Sequence, residues 1–422
     1  MQYKMGKAVV IGGGIIGLSS AKYLVEAGWE VTVVDKEDFL DNCSYGNAGF
    51  VCPSHYIQLA TPGIVKQGIK WMLDSNSPFY IQPRLSRDLI NWGLAFLKSA
   101  KKGNVEKHGI PLRDIGLLAK HEYESVWRKD FDFSYENKGM VEIFKTEDAK
   151  HECAGTVTFG QRLGLDVVLE DKPGLERLEP NTTIDAMGAI HYRCDGHLYP
   201  QKLMGHLLAY LKSKGVLLLP KHEVTGLQTK EADIVGIQTQ NGAITGDAFV
   251  LAAGSWSGQF TKELGIKMPI VGGRGYSVTL PVAGSEMDLQ HPGILVEGRC
   301  AFTPMDGDKI RFGGTMEITA TDTPPRLNRV EGILKAVNDF FPKIKIGLGD
   351  VKDNIWHGFR PMSGDGMPYI GKTKKWNNLV VATGHAQLGI SLGAATGLLV
   401  KELLQNEPTS VDIKAFDVER FA

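Results

Sequence analysis

The run KAVVIGGGIIGLSSAKYLVEAGWEVTVVDKE, which begins at Lys7, constrains the fold more than any other stretch of the chain. Ala8 to Ile11 read as a short buried strand, and Ile16 to Ala27 carry helical periodicity. Gly28 stops that helix, and Glu30 to Asp35 read as a second strand. Between strand and helix lie Gly12, Gly14 and Gly17 in the spacing Gly-x-Gly-x-x-Gly. The first permits a tight turn, the second lets a pyrophosphate approach the backbone, and the third lets helix and strand pack closely. The helix N-terminus then offers unpaired N–H groups and positive dipole to phosphate. Asp35 ends the second strand 18 residues after Gly17, where a carboxylate can accept hydrogen bonds from a ribose diol and repels a 2′-phosphate. Three glycines alone are weak. Set between a strand and a helix, with the acid at this distance, they predict a Rossmann-like dinucleotide-binding domain.

With 422 residues, 43% of them hydrophobic, the chain can bury the cores of two or three domains. A net charge of -1 gives no basic surface for nucleic acid. The 50 glycines cluster in short motifs, a pattern of close backbone approach to a ligand. Five cysteines (Cys43, Cys52, Cys153, Cys194 and Cys300) form no Cys-x-x-Cys pair and are odd in number, so neither a disulfide framework nor a metal site is expected. A reducing, cytoplasmic setting follows. The start MQYKMGKAVVIGGGIIGL imitates a signal peptide but lacks a small-residue cleavage site. No apolar run approaches the ~18 residues of a membrane span.

The pattern at the amino terminus fits NAD or FAD. In the carboxy-terminal third, NNLVVATGHAQLGISLGAATGLLVKELL predicts a strand (Leu379 to Ala382), a Gly-rich turn and a helix from about Ile390. A second helix N-terminus would bring backbone donors to the same cofactor, which a flavin needs at its pyrimidine edge. The alternative is a helix start that merely packs on the sheet. A middle block supplies Pro200, placed to open a helix with Leu203, Leu207, Leu208 and Leu211 on one face, and Gly215 to close it. Strand Val216 to Leu219, alternating segments around Val224 and Ile237, a turn at Asn241-Gly242 and a buried strand Ala248 to Ala252 follow.

Taken together, VVIGGGIIGLSSAKYL, SYGNAGFVCPSHY, LYPQKL, HEVTGL, VLAAGSWS, GFRPMSGDGMPYIG and ATGHAQLGIS resemble the D-amino-acid oxidase, glycine oxidase and sarcosine oxidase family of FAD enzymes over essentially the full length. SYGNAG, ATPGIVKQGIKWML, GGRGYSVTL and FGGTMEI resemble its branch of bacterial D-amino-acid dehydrogenases. The resemblance implies an α/β Rossmann-like FAD domain, discontinuous over 1–56, 195–262 and 350–422. An α+β substrate domain with a mixed antiparallel sheet would occupy 57–194 and 263–349. It places Gly12, Gly14, Ile15, Gly17, Asp35 and Lys36 on the ADP half of FAD, Val224 at the adenine, and Ala253 and Gly254 near the diphosphate. Ser44, Asn47, Ala48 and Gly49 should flank the ribityl chain and the rings. Gly384, His385, Gly389, Ile390 and Ser391 should approach the pyrimidine end. No Cys stands in the carboxy-terminal stretch where sarcosine oxidases carry their covalent tether.

Arg360, alone among Trp356, His357 and Phe359, matches the Arg that anchors the substrate carboxylate in glycine-oxidase-like members. A planar fork of donors suits a carboxylate in two parallel hydrogen bonds. The alternative is a structural Arg paired with Asp365 or a backbone carbonyl. Tyr276 shares a strand face with Arg274 and is a second candidate, as are His55 and Tyr56 beyond the SYGNAG loop. With these parts, the resemblance implies oxidative deamination of a D-amino acid, with hydride leaving Cα for flavin N5. The imine would hydrolyse to a 2-oxo acid and ammonia. Oxidation of a cyclic or secondary amine (D-proline, D-hydroxyproline, glycine or a sarcosine-like compound) uses the same residues, and a non-catalytic flavoprotein subunit is a third reading. Residues 61 to 100 mix aromatic and apolar residues with Lys66, Lys70, Arg84 and Arg87. By resemblance, that region is where a quinone or respiratory-chain acceptor and peripheral attachment to the inner face of the cell membrane are sought. Core packing of an amphipathic helix is the plainer alternative.

Overall fold

The computed structural model describes residues 5–58, 60, 61, 63, 78–282 and 286–422. In chain order the strands of its two large sheets are β1 (Lys7–Ile11), β2 (Glu30–Val34), β3 (Phe79–Ile81), β4 (Met140–Phe144) and β5 (Val167–Asp171). Next come β6 (Gly188–Tyr192), β7 (Leu217–Leu219), β8 (Ala248–Leu251), β9 (Ile270–Pro281) and β10 (Gly293–Leu295). The last are β11 (Cys300–Met305), β12 (Lys309–Ile318), β13 (Ile355–Ser363), β14 (Tyr369–Lys372) and β15 (Leu379–Thr383). Five helices are labelled: α1 (Ile15–Glu26), α2 (Arg87–Ser99), α3 (Lys102–His121), α4 (Pro200–Ser213) and α5 (Gly389–Leu404).

The first sheet has the order β14-β15-β8-β1-β2-β7, parallel throughout except for the antiparallel edge strand β14. Its central strands are buried on both faces, which is why they read as continuous apolar runs rather than as alternations. One face is covered by α1, α4 and α5. The other is covered by a small antiparallel sheet formed by Val224–Lys230, Asp233–Thr239 and Gly242–Thr245, the segments expected to alternate. Residues 15 to 24 of α1 are all buried, because α4 and α5 crowd a helix that already faces the sheet.

The second sheet has the order β13-β9-β12-β11-β10-β4-β6-β5, with β3 pairing in parallel to β12. Helix Arg329–Phe340 packs on one side of it through Val330, Ile333, Leu334 and Val337. Two segments sit across the sequence-expected boundaries. Strand β13, within 350–422, hydrogen-bonds to β9 and so completes the second sheet rather than the first. Conversely, Tyr123, Trp127, Phe131 and Phe133, within 57–194, join the core that contains α1 and α4. Chain crossing at these points ties the two sheets together, and the functional cavities lie where they meet.

Candidate active site

The βαβ turn opens a cavity of about 460 Å³ at the carboxyl ends of β1 and β2, the place where open α/β sheets bind ligands. Gly12 has φ +112, and a Cβ there would stand 2.4 Å from the Ala252 carbonyl oxygen. A Cβ on Gly17 would stand 1.8 Å from the Gly12 carbonyl oxygen. Gly17 is therefore a packing residue behind the cavity, while Gly12, Gly14 and Ile15 line it. At Gly14 a Cβ would meet no protein atom nearer than Ser44 Oγ at 3.6 Å, so the space above the turn is ligand space. Ser44 Oγ accepts from Ile15 N at 3.0 Å, and Asp35 Oδ2 accepts from Gly13 N at 2.6 Å. Lys36 Nζ lies 4.0 Å over the Trp256 ring. Val224, Ala253 and Gly254 line the opposite wall.

Gly384, His385, Gly389 and Ile390 line the same cavity, at the N-terminus of α5. His385 Nε2 meets Thr396 Oγ1 at 3.0 Å, which leaves its buried Nδ1 without a partner. Burial pushes this imidazole down to about 3, so it is neutral at ordinary pH. A buried orphan nitrogen, a turn that a Cβ would obstruct and a helix N-terminus aimed at one space fit an elongated phosphate-bearing cofactor with a heteroaromatic ring, as in FAD.

A second cavity, of about 540 Å³, adjoins the first; Cys43, Asn47, Trp356, Gly358, Phe359 and Ala386 line both. The loop between them is held by donors from the second sheet. Arg311 Nη1 donates to the carbonyls of Tyr45 and Asn47 at 2.9 and 2.7 Å, Thr303 Oγ1 to Ala48 at 2.8 Å and Ser277 Oγ to Gly46 at 3.2 Å. Burial lowers Arg311 to about 10, so it stays cationic at neutral pH. The Trp356 indole lies over Gly46 and Gly358, where a Cβ would come within 2.0 and 2.2 Å of the ring. Asn47, Ala48 and Ser391 line the second cavity; Gly49 lies behind it, its Cβ position 2.1 Å from the Leu198 carbonyl oxygen.

Arg360 projects from β13 into this second cavity. Its guanidinium lies over Gly275 of the neighbouring β9, where a Cβ would fall 2.1 Å from Nη1. Nη1 donates to the Thr315 carbonyl at 2.7 Å. Thr315 sits at φ +61, a costly conformation for a β-branched residue, beside an irregularity in the β9–β12 pairing. That twist supplies the carbonyl that fixes the fork. Burial lowers Arg360 to about 10, so the group is charged at neutral pH, and the remaining N–H groups of the fork are available to an anion. Of the two structural partners the sequence offers, the backbone carbonyl is used; Asp365 instead takes a bidentate pair from Arg420 at 2.7 and 2.9 Å.

Tyr276 lines the cavity, but its phenol donates to Glu317 Oε2 at 3.0 Å and accepts from Arg326 N at 2.8 Å. Arg274 also approaches Glu317, at 3.8 Å, so the two residues share a face as expected. His55 lines the cavity with a buried, unpartnered Nδ1, and burial pushes it down to about 4. Tyr56 lines neither cavity. Its hydroxyl donates to the Thr156 carbonyl at 2.8 Å and its ring packs edge-on against Phe159. Cys52, His55 and Asp195 bring possible donor atoms within 4.8 Å of one another. Asp195 is already bonded by the N–H and hydroxyl of Ser54, and burial raises the Cys52 thiol, which keeps it protonated.

Glu142, Gly275 and Arg311 were not singled out in the sequence. Their only signal is strand alternation, which does not say which face meets a cavity. The segment expected to approach a membrane falls partly outside the described residues. Within them, α2 turns Trp92 and Phe96 toward the second cavity and leaves Ile90, Leu94 and Leu97 each 54% exposed. No helix among the described residues is long and apolar enough to cross a membrane.

Residues 7–403 match a family model described as FAD dependent oxidoreductase (DAO). The chain is 30% identical to a D-amino acid dehydrogenase of Vibrio vulnificus (strain CMCP6), over 99% of this chain and 100% of that protein. Its fold is similar to that of glycine oxidase from Geobacillus kaustophilus, with TM-score 0.75 and 21% identity over 98% of each chain. L-proline dehydrogenase from P.horikoshii superposes with TM-score 0.73 and 19% identity, over 98% of this chain and 97% of the other.

Proposed function

Because the chain belongs to the family of FAD-dependent oxidoreductases, we propose that it is an amino-acid dehydrogenase that oxidises the Cα–N bond of D-amino acids. The observation that carries this reading is the Arg360 guanidinium, fixed over Gly275 in a cavity that adjoins the cofactor cavity. A cation in an apolar wall demands a ligand with a carboxylate, since leaving it unpaired is expensive.

The residues present would hold FAD with its phosphates on the Gly12–Gly14 turn and its ring system between the 44–48 loop and the start of α5. Bound FAD supplies the acceptor for the hydride that leaves Cα. Arg360 binds and orients the substrate carboxylate, and Trp356, Phe359 and Phe50 exclude water around it. Burial makes His55 and His385 weak bases, poorly matched to take a proton from a substrate ammonium. The amine therefore arrives neutral from solvent, and the imine product hydrolyses to a 2-oxo acid and ammonia. The exposed apolar face of α2, close to the second cavity, supports a quinone-type acceptor reached at a membrane surface.

Anaerobic mixing of the purified holoprotein with a panel of D-, L- and cyclic amino acids tests the reading. Bleaching of the flavin band by primary D-amino acids is the expected result. Bleaching only by cyclic or N-methyl amino acids moves the assignment to secondary amines. No bleaching by any of them makes the protein a non-catalytic flavoprotein.

A further inference from the structure

The carbonyl that fixes Arg360 is there because β12 carries one residue more than β9 at that point. Arg274 pairs with Glu317 and Tyr276 with Gly314, so Gly275 alone stands opposite both Thr315 and Met316. That count is a β-bulge. On its other side β9 keeps an unbroken register with β13. The extra stretch of β12 puts Thr315 at φ +61, with its carbonyl on Arg360 Nη1 and its hydroxyl donating to the Arg329 carbonyl at 3.2 Å. A bulge interrupts the backbone ladder, so side chains must hold the two strands together here.

Glu317 does this. Its carboxylate, 1% exposed, accepts from the Tyr276 hydroxyl at 3.0 Å and lies 3.8 Å from Arg274 Nη1. Arg274 and Tyr276 flank Gly275, so one side chain of β12 grips β9 on both sides of the bulge. Arg326 closes the set, with its Nε 3.5 Å from Glu317 Oε1 and its N–H donating to the Tyr276 oxygen at 2.8 Å. Arg274 also donates to the carbonyls of Thr323 and Pro324, and it lies 4.7 Å over the ring of Phe359, the residue before Arg360. Neither Glu317 nor Arg274 lines either cavity, so neither touches a ligand bound there. Buried ion pairs add little stability over apolar packing of similar volume, so stability alone does not call for this set.

We propose that Glu317 is a positioning residue: by holding Arg274 and Tyr276 across the bulge, it fixes the Thr315 carbonyl and so aims Arg360 at the substrate carboxylate. The proposal rests on the assignment of Arg360 to that carboxylate. A double-mutant cycle tests it, by anaerobic flavin reduction in wild type, Glu317→Gln, Arg360→Leu and the double variant, with FAD content checked by absorbance. Glu317→Gln keeps the shape and an acceptor for Tyr276 but removes the charge that holds the two arginines. With Arg360 present, it should lower kcat/KM about 10-fold, less than the ~10²-fold cost of a full 1 Å misplacement. The dissociation constant of propionate, read through the flavin absorbance, should rise by a similar factor. In the Arg360→Leu background the same change should cost less than ~2-fold, because the fork it aims is gone. Wild-type values in Glu317→Gln, or an equal loss in both backgrounds, would overturn the proposal and leave the carboxylate reading standing. Wild-type values in Arg360→Leu would remove both. If Glu317→Gln does not retain FAD, Tyr276→Phe, which deletes only the phenol bond across the bulge, takes its place in the cycle and is held to the same outcomes.

Discussion

The contact between Gly275 and Arg360 is the sharpest handle on the substrate site. In Gly275→Ala the new Cβ would fall 2.1 Å from Arg360 Nη1, 2.3 Å from Cζ and 2.4 Å from Nη2. Carbon contacts need ~3.5–4.0 Å, so the fork must withdraw by more than ~1 Å. The backbone at 275 is not left-handed, and the obstructed atoms end a flexible side chain, so the cost to folding is small. The cost to function is not. Withdrawal breaks the 2.7 Å bond to Thr315 and misaims the remaining donors. Losing one hydrogen bond to a charged group costs ~1.5–3 kcal/mol, and a ~1 Å misplacement costs ~10²-fold in rate. Both converge on a fall of ~10²-fold in kcat/KM, or ~2.7 kcal/mol. FAD content should not change, since Gly275 does not line the cofactor cavity. Anaerobic stopped-flow reduction, with absorbance to verify FAD stoichiometry, measures both. Wild-type kcat/KM in a fully loaded Gly275→Ala protein would refute the steric reasoning.

Three further outcomes follow from the same geometry. Tyr56→Phe loses the bond to the Thr156 carbonyl and should lower stability by ~1 kcal/mol in chemical denaturation, yet leave flavin reduction unchanged; a slowed reduction would return Tyr56 to the site. Gly17→Ala forces a Cβ to within 1.8 Å of a backbone oxygen that cannot yield, and should give protein without bound flavin, read from the ratio of visible to ultraviolet absorbance. Because burial holds His55 at about 4 and His385 at about 3, both are neutral from pH 6 to 9. With a neutral side chain on the substrate, log kcat/KM should rise with unit slope toward the pKa of the substrate amine, and His55→Gln should keep that slope. An inflection near 6.5 that disappears in His55→Gln would contradict this.

The cofactor half of the molecule was legible because its determinants are local. Turn, helix and strand lie within one run, and their periodicities need no tertiary information. The substrate half was legible only in part. Arg360 stood out as a charge in an apolar run, but its partner, Thr315, is 45 residues away and accepts because of a backbone irregularity that composition does not reveal. His55 and Tyr56 are adjacent in sequence yet diverge in space just after a turn closed by His55 N on the Cys52 carbonyl, one toward the cavity and one into the core against Phe159. Glu142 and Arg311 owe their positions to sheet order and register, which bring together strands from distant parts of the chain. For the same reason, nothing in residues 123–133 marked them as packing against α1 and α4 rather than beside the second sheet.

The claim on which the rest depends is that Arg360 holds the carboxylate of the substrate. Arg360→Leu removes the charge and the fork of donors, so a variant that retains its flavin spectrum isolates that role. Titration with a simple carboxylate ligand, followed through the flavin absorbance, and anaerobic reduction by the best D-amino acid are the direct measurements. The account predicts that carboxylate binding is lost and that kcat/KM falls by ~10²–10³-fold, the size expected when one partner of a buried ion pair is removed. Carboxylate affinity and reduction rate equal to those of the wild type would contradict it.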